Sequence, residues 1–220
     1  MVAGKLTAGY HQLSNAFNDY KKMIHELISG RKSIRAFADK SVDDETLISL
    51  FDAARWAPSS RNEQPWRFLV AKREEKNAFE KILSCLHESN RIWAKHGSFL
   101  FITLAKKTFS DNNHENAYAL HDTGLAIGNL SLQATSFGLY LHQMGGIDRN
   151  KTRQLFEVPD AFDVVSITVA GYKGNPDALP DHLREREFIQ RTRKTLDEII
   201  FSEKFGEQRL SNPDTLRHRD

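Results

Sequence analysis

The alternation of apolar and polar positions lays out the elements before any single residue argues for chemistry. Phe17, Tyr20, Ile24, Leu27 and Ile28 recur at helical spacing, and Gly30 supplies a stop. An irregular polar stretch, Arg31–Lys40, follows. From about Asp43 a second helix is predicted, with Leu47, Leu50, Phe51 and Ala54 on one face and Ser41 and Asp44 spaced as a capping box. Pro58 ends it, because the residue before a proline is pushed out of helical dihedrals. Trp66–Lys72 and Phe99–Ala105 read as strands, with short helices between them near Lys76–Leu86 and Ile92–Lys95.

Glu115–Phe137 is the longest predicted helix. Ala117, Leu120, Leu125, Ala126, Ile127, Leu130, Leu132 and Ala134 spread around most of its circumference, and a helix apolar nearly all round belongs in an interior. Gly138 stops it, and Leu139–Met144 predicts a strand. A short helix near Asp148–Phe156 leads to a fourth strand, Val164–Tyr172. Beyond Lys173 come a loop marked by Gly174, Pro176 and Pro180, a charged stretch (Leu183–Lys194), an apolar piece (Leu196–Phe201) and a polar end from Ser202. Strands interleaved with helices indicate an α+β fold with a mixed sheet. No repeat or low-complexity linker divides the chain.

Composition narrows the function classes. Of 220 residues, 40% are apolar and 27% charged, the balance of a globular protein rather than a disordered one. Thirty-one Lys plus Arg against twenty-nine Asp plus Glu leave a net charge of +2, too little for bulk attraction to nucleic acid or a membrane surface. The lone Cys85 excludes a disulfide framework and a Cys-rich metal or iron–sulfur site, and its apolar helical surroundings place it in the core. No run approaches the ~20 apolar residues that span a bilayer. Met1–Gly9 lacks the apolar core of a signal peptide, so a cytoplasmic protein is expected.

The usual chemical signatures are missing. There is no glycine-rich nucleotide fingerprint, P-loop, His-Glu-x-x-His or Gly-x-Ser-x-Gly. His121 and His142 sit among apolar residues, where a lone histidine reads as core rather than as a metal ligand. Three segments carry positive signals. Arg31, Lys32, Ser33 and Arg35 set three cations and a hydroxyl within five residues, which suits a phosphate or a solvated charge cluster; Ile34 among them pins the segment to the core. Pro58-Ser59-Ser60-Arg61-Asn62-Glu63-Gln64-Pro65 is bracketed by prolines and rich in neutral donors and acceptors, either a surface for a heterocycle or a stiff connector. Gln143-Met144-Gly145-Gly146 closes a strand with paired glycines that admit a ligand to the backbone or simply turn the chain. Arg191 and Arg193 add cations near the C-terminus.

In this order the segments resemble the FMN-dependent nitroreductase family. RKSIRAF (31–37), AARWAPSSRNEQPWRF (53–68), LYLHQMGGI (139–147), VVSITVAGY (164–172) and RKTLDEIIF (193–201) carry the likeness, which extends over roughly residues 20–202. It implies a three-layer α/β/α domain over residues 1–202 (1–15 a lead-in), a central mixed β-sheet, a long buried core helix and an obligate homodimer, with 203–220 a polar extension. It also implies that Arg31, Lys32, Ser33 and Arg35 hold the FMN phosphate and ribityl chain, with Arg193 returning to the phosphate. Pro58, Ser59, Ser60 and Asn62 would reach the same flavin from the other subunit, and Gln143, Met144, Gly145 and Gly146 would lie against it.

The activity implied is ping-pong reduction of nitroaromatic, quinone or similar acceptors, with NADH or NADPH as transient donor and no catalytic acid or base named. Flavin destruction, dehalogenation or azoline oxidation on the same scaffold, or flavin binding without turnover, are the alternatives. Thr195 departs from the R-K-P-L common in the family. Arg61 and Glu63 would place charge at the mouth of the site, and Tyr118 and Phe137 read as core.

Overall fold

The computed structural model describes residues 24–208. The lead-in over 1–15, the helical positions Phe17 and Tyr20, and the end of the chain past 208 lie outside the described residues. In chain order the helices are α1 (Glu26–Gly30), α2 (Asp44–Arg55), α3 (Lys76–Leu83), α4 (Glu88–Ala94), α5 (Ala119–Ser136), α6 (Arg149–Leu155) and α7 (Asp181–Phe188). The strands are β1 (Trp66–Lys72), β2 (Phe99–Lys106), β3 (Leu139–Met144) and β4 (Phe162–Tyr172). No described helix is long and apolar enough to cross a membrane.

The sheet runs β1-β2-β4-β3. The α+β class stands, but the mixed sheet does not: among the described residues all three pairings are antiparallel. The reason is the order of insertion. α5 carries the chain from β2 to β3, which run parallel but two places apart, and β4 then fills the slot between them, antiparallel to both.

Side chains alternate across this sheet and feed two cores. On one face Phe99, Phe101, Leu139, Leu141 and Ala170 meet Leu50 and Ala54 of α2 and Ala126, Ile127, Leu130 and Ala134 of α5. On the other, Leu100, Ile102, Ile167 and Val169 meet Phe79 and Ile82 of α3, Trp93 of α4, Leu183 of α7 and the buried Cys85. Helices therefore cover both faces, and β2, buried from Phe99 to Ala105, reads as an unbroken apolar run because it has no solvent side.

Helix ends follow local polar chemistry. α2 is capped by Asp43, whose carboxylate accepts the Thr46 N–H at 2.6 Å, so the expected Ser41/Asp44 box does not form. α5 starts at Ala119 rather than Glu115. Glu115 instead bridges back to Thr108, and the Asn116 side chain accepts the Tyr118 N–H at 3.1 Å just ahead of the helix. Within one chain α5 is buried on one side only: Leu120 is 57% and Leu125 38% exposed. Tyr118 and Phe137, expected in the core, are exposed as well.

The chain divides into two compact units between Glu187 and Phe188. In the second, Thr195 heads a turn of 3-10 helix at Leu196–Glu198; its N–H and hydroxyl both donate to the Glu198 carboxylate, at 3.0 and 2.9 Å. Thr195 thus takes a capping role at this turn. The Phe201 and Phe205 rings meet at a tilt of 50° with centroids 4.7 Å apart, and Phe201 bridges to Gln208.

Candidate functional site

The basic segment after α1 is clamped from several directions. Ile34 is buried, and its carbonyl accepts a hydrogen bond of 2.8 Å from Nδ1 of His142 on β3; a carbonyl only accepts, so this nitrogen carries the proton. The Ala38 N–H donates to the Tyr172 carbonyl at 2.9 Å and the Gly174 N–H to the Ala36 carbonyl at 2.8 Å. The backbones are so close that a Cβ on Gly174 would lie 2.4 Å from the Phe37 carbonyl carbon, which explains the glycine.

Within this clamp the polar groups take distinct places. Lys32 and Ser33 are exposed, and Arg31 donates to the Ser33 hydroxyl at 3.3 Å. Arg35 is partly buried. Its N–H donates to Glu187 Oε1 at 2.9 Å, its guanidinium lies 3.7 Å from the same oxygen, and it sits 5.7 Å from the centre of the Trp93 ring. Burial, with Arg186 nearby, lowers the Arg35 pKa, while Glu187 opposes the shift.

His142 backs this arrangement, its ring 4.5 Å from that of Trp93. Burial, reinforced by Arg35 and opposed by the Ile34 bond, lowers its pKa from 6.5 to about 4. The unfolded chain therefore holds the extra proton between those values. This contribution to stability is complete above about pH 6.5 and lost as pH falls towards 4, on the order of 3 kcal/mol in all. His142→Asn, which can keep an N–H for the Ile34 carbonyl without a titrating ring, is expected to flatten that pH dependence in urea melts. An unchanged slope in the variant would show that His142 is not its source.

The end of β3 meets the basic segment through the His142–Ile34 bond. Met144 is buried in the core and Gln143 is exposed. The Gly146 carbonyl accepts from the His87 N–H at 3.0 Å and Asn90 Nδ2 at 3.2 Å, and a Cβ on Gly146 would come within 2.8 Å of that amide. At Gly145 a Cβ would meet nothing within 4 Å, so its backbone faces open space.

The proline-bracketed loop lies elsewhere. Arg61, Asn62 and Gln64 all have φ between 52° and 56°, a left-handed backbone uncommon for residues with side chains. Surrounding bonds hold it: the Ser60 N–H donates to the buried Asp122 carboxylate at 2.8 Å, and the Gln64 N–H to the Ser59 hydroxyl at 3.0 Å. Glu63, expected at the mouth of the site, turns inward instead. It accepts the Ser110 N–H at 2.9 Å and hydroxyl at 2.6 Å, and pairs with Lys106 at 3.3 Å. Burial alone would raise its pKa, but these donors hold it below the usual range.

The two polar loops flank opposite ends of α5. Gly30 lies against Thr135, and Ser60 is bonded to Asp122. Thirteen residues of helix at 1.5 Å each separate them by ~20 Å. One chain thus gathers Arg31–Arg35 with Gln143–Gly146, but not with Pro58–Asn62. Arg193 is in the second unit, exposed, donating to the Thr192 carbonyl at 2.6 Å. Pattern reading missed Asp122, Glu187, Trp93 and the Glu63–Lys106–Ser110 clasp. Asp122, an acid among apolar neighbours on α5, was the one with a visible signal. Among the described residues no group of three or more His, Cys, Asp or Glu is placed to hold a metal.

Comparison with known proteins bears on these segments. Residues 28–172 match the model of the nitroreductase family. An iodotyrosine deiodinase from Thermotoga neapolitana is 27% identical over 176 residues, 70% of this chain and 91% of the relative. A solved oxidoreductase containing FMN superposes with a TM-score of 0.79 at 31% identity, covering 84% of this chain and 94% of its own. A nitroreductase family protein from Clostridium difficile 630 superposes with a TM-score of 0.63 at 26% identity, covering 81% of this chain and 97% of its own.

Proposed function

We propose, for a chain that belongs to the nitroreductase family and is an FMN-dependent oxidoreductase, that it reduces nitroaromatic, quinone or similar acceptors at the expense of NADH or NADPH. The observation that carries this reading is the clamped basic segment beside the open glycine that follows β3. Three cations and a hydroxyl on a fixed backbone are the donor set a phosphate monoester requires, and the absence of a side chain at Gly145 leaves room for a flat ring against the strand end.

When bound, FMN supplies a two-electron carrier that a nicotinamide charges and an acceptor discharges, which makes the two substrates alternate in one cleft. The protein's part is binding and orientation. Arg31, Lys32, Ser33 and Arg35 hold the phosphate end. Gln143, Met144, Gly145 and Gly146 border the ring end, Met144 through its backbone because its side chain is buried. Pro58, Ser59, Ser60 and Asn62 complete the site from a second copy of the chain. The ~20 Å along α5 between the two loops supports that division, as does the exposed apolar side of α5. No side chain is assigned as catalytic acid or base.

Reductive dehalogenation is the second reading, favoured by the likeness to the deiodinase of Thermotoga neapolitana. Purified protein, loaded with FMN and held without oxygen, is expected to lose its yellow colour on adding NADH or NADPH and to regain it with nitrofurazone or menadione. Recovery of colour with iodotyrosine but neither of those would favour the dehalogenase. Flavin that neither nicotinamide bleaches would defeat the nicotinamide-linked reading.

A further inference from the structure

Arg61 has no place in the cofactor contacts assigned above, yet its setting is built. It occupies φ 53°, ψ 21° between two fixed neighbours: the Asn62 N–H donates to the Ser59 carbonyl and the Glu63 N–H to the Ser60 carbonyl, both at 3.0 Å. Asp122 on one side and the Glu63 clasp on the other tie down the same turn. The root of Arg61 is therefore held, and its guanidinium carbon lies over the ring of buried Phe109, 4.8 Å from its centre. Its charge partner is Asp111, with Nη1 and Oδ2 3.7 Å apart and both side chains exposed. That separation is too long for a hydrogen bond, so Asp111 does not occupy the guanidinium donors. An exposed pair of this kind is weak and readily exchanged. Nearby, Lys106 and Glu63 are paired with each other, and the Asp122 carboxylate is taken up by the Ser60 N–H.

A planar fork of donors, rigidly rooted and only loosely paired, is suited to a carboxylate, which it grips with two parallel hydrogen bonds. We propose that Arg61 is a specificity-determining residue, selecting acceptors that carry a carboxylate, which takes the place of Asp111 at its guanidinium. This depends on the reading above, in which the 59–64 loop faces the cofactor of a second copy.

The test compares 4-nitrobenzoate with methyl 4-nitrobenzoate, which share the reducible group and differ in charge. Wild-type protein is expected to prefer the acid, the more so at low salt. Arg61→Gln is expected to lower kcat/KM for the acid about tenfold, mainly through KM, and to leave the ester within about twofold. Asp111→Asn, which removes the competing carboxylate, is expected to strengthen the preference. Flavin content and thermal melting are measured in each variant, so that a folding defect is not read as lost selectivity. Acid and ester changing in parallel in Arg61→Gln would overturn the assignment while leaving the oxidoreductase reading intact. A wild-type protein that binds FMN but reduces neither compound would overturn that reading, and this assignment with it.

Discussion

Arg35→Ala protein is expected to bind FMN about 10- to 100-fold more weakly than wild type, the loss of one charge-assisted phosphate contact of ~1.5–3 kcal/mol. Arg35 is held from two sides: Glu187 fixes its backbone N–H and stands 3.7 Å from its guanidinium, and the Trp93 ring centre lies 5.7 Å from it. A side chain already oriented loses little freedom when an anion arrives, so its share of affinity should exceed that of exposed Lys32. Removing it also leaves the largely buried Glu187 carboxylate without its counter-charge, which weakens the fold independently of the cofactor. Glu187→Gln separates the two effects, since its amide oxygen still accepts the Arg35 N–H. Titration followed by quenching of FMN fluorescence, beside melts of the cofactor-free proteins, reads both. Stoichiometric flavin retained by Arg35→Ala through gel filtration would remove Arg35 from the phosphate site.

How much of this was legible beforehand depends on the range of the interaction. β1 and β3 match their predicted bounds because each is a short run ended by a turn signal, and β2 and β4 differ only at their ends. Ile34 identified itself as an anchor because one apolar residue among cations has few other uses, and it is buried. Pairing direction was not legible. Periodicity along a strand says nothing of its neighbour, and β4 enters between β2 and β3, which follow each other among the strands of the sequence. The partners that hold the loops were equally hidden. Glu187 lies 152 residues from Arg35 and Ser110 lies 47 from Glu63, separations at which no local pattern survives. Glu63 illustrates the cost: read as a loop charge it belonged at the surface, whereas its position beside Lys106 and Ser110 turns it inward.

If the cofactor site is shared between two copies as proposed, Gly128→Arg is expected to have the largest effect of all, giving a 25.2 kDa monomer that does not retain FMN in place of a dimer of about 50 kDa. A Cβ at Gly124 or Gly128 would meet nothing within 4 Å, so within one chain the arginine has room. Replacing a mid-helical glycine also favours the helix, by up to ~1 kcal/mol. Folding of the single chain should therefore be untouched. A second copy packed on this side of α5 would meet a long cation on a helix that also exposes Leu120 and Leu125, 57% and 38% exposed. Desolvating an unpaired charge there costs several kcal/mol. Flavin loss should follow, because Arg31–Arg35 and Pro58–Asn62 stand ~20 Å apart along α5 and the proposed site needs the loop of a second chain beside the basic segment. Light scattering after gel filtration, read with the flavin absorbance of the same peak, distinguishes the outcomes. A monomer with normal melting and no yellow colour is the expected result. A Gly128→Arg protein that stays dimeric and yellow would place the subunit contact elsewhere on the chain, and a yellow monomer would show that one chain suffices to hold the cofactor.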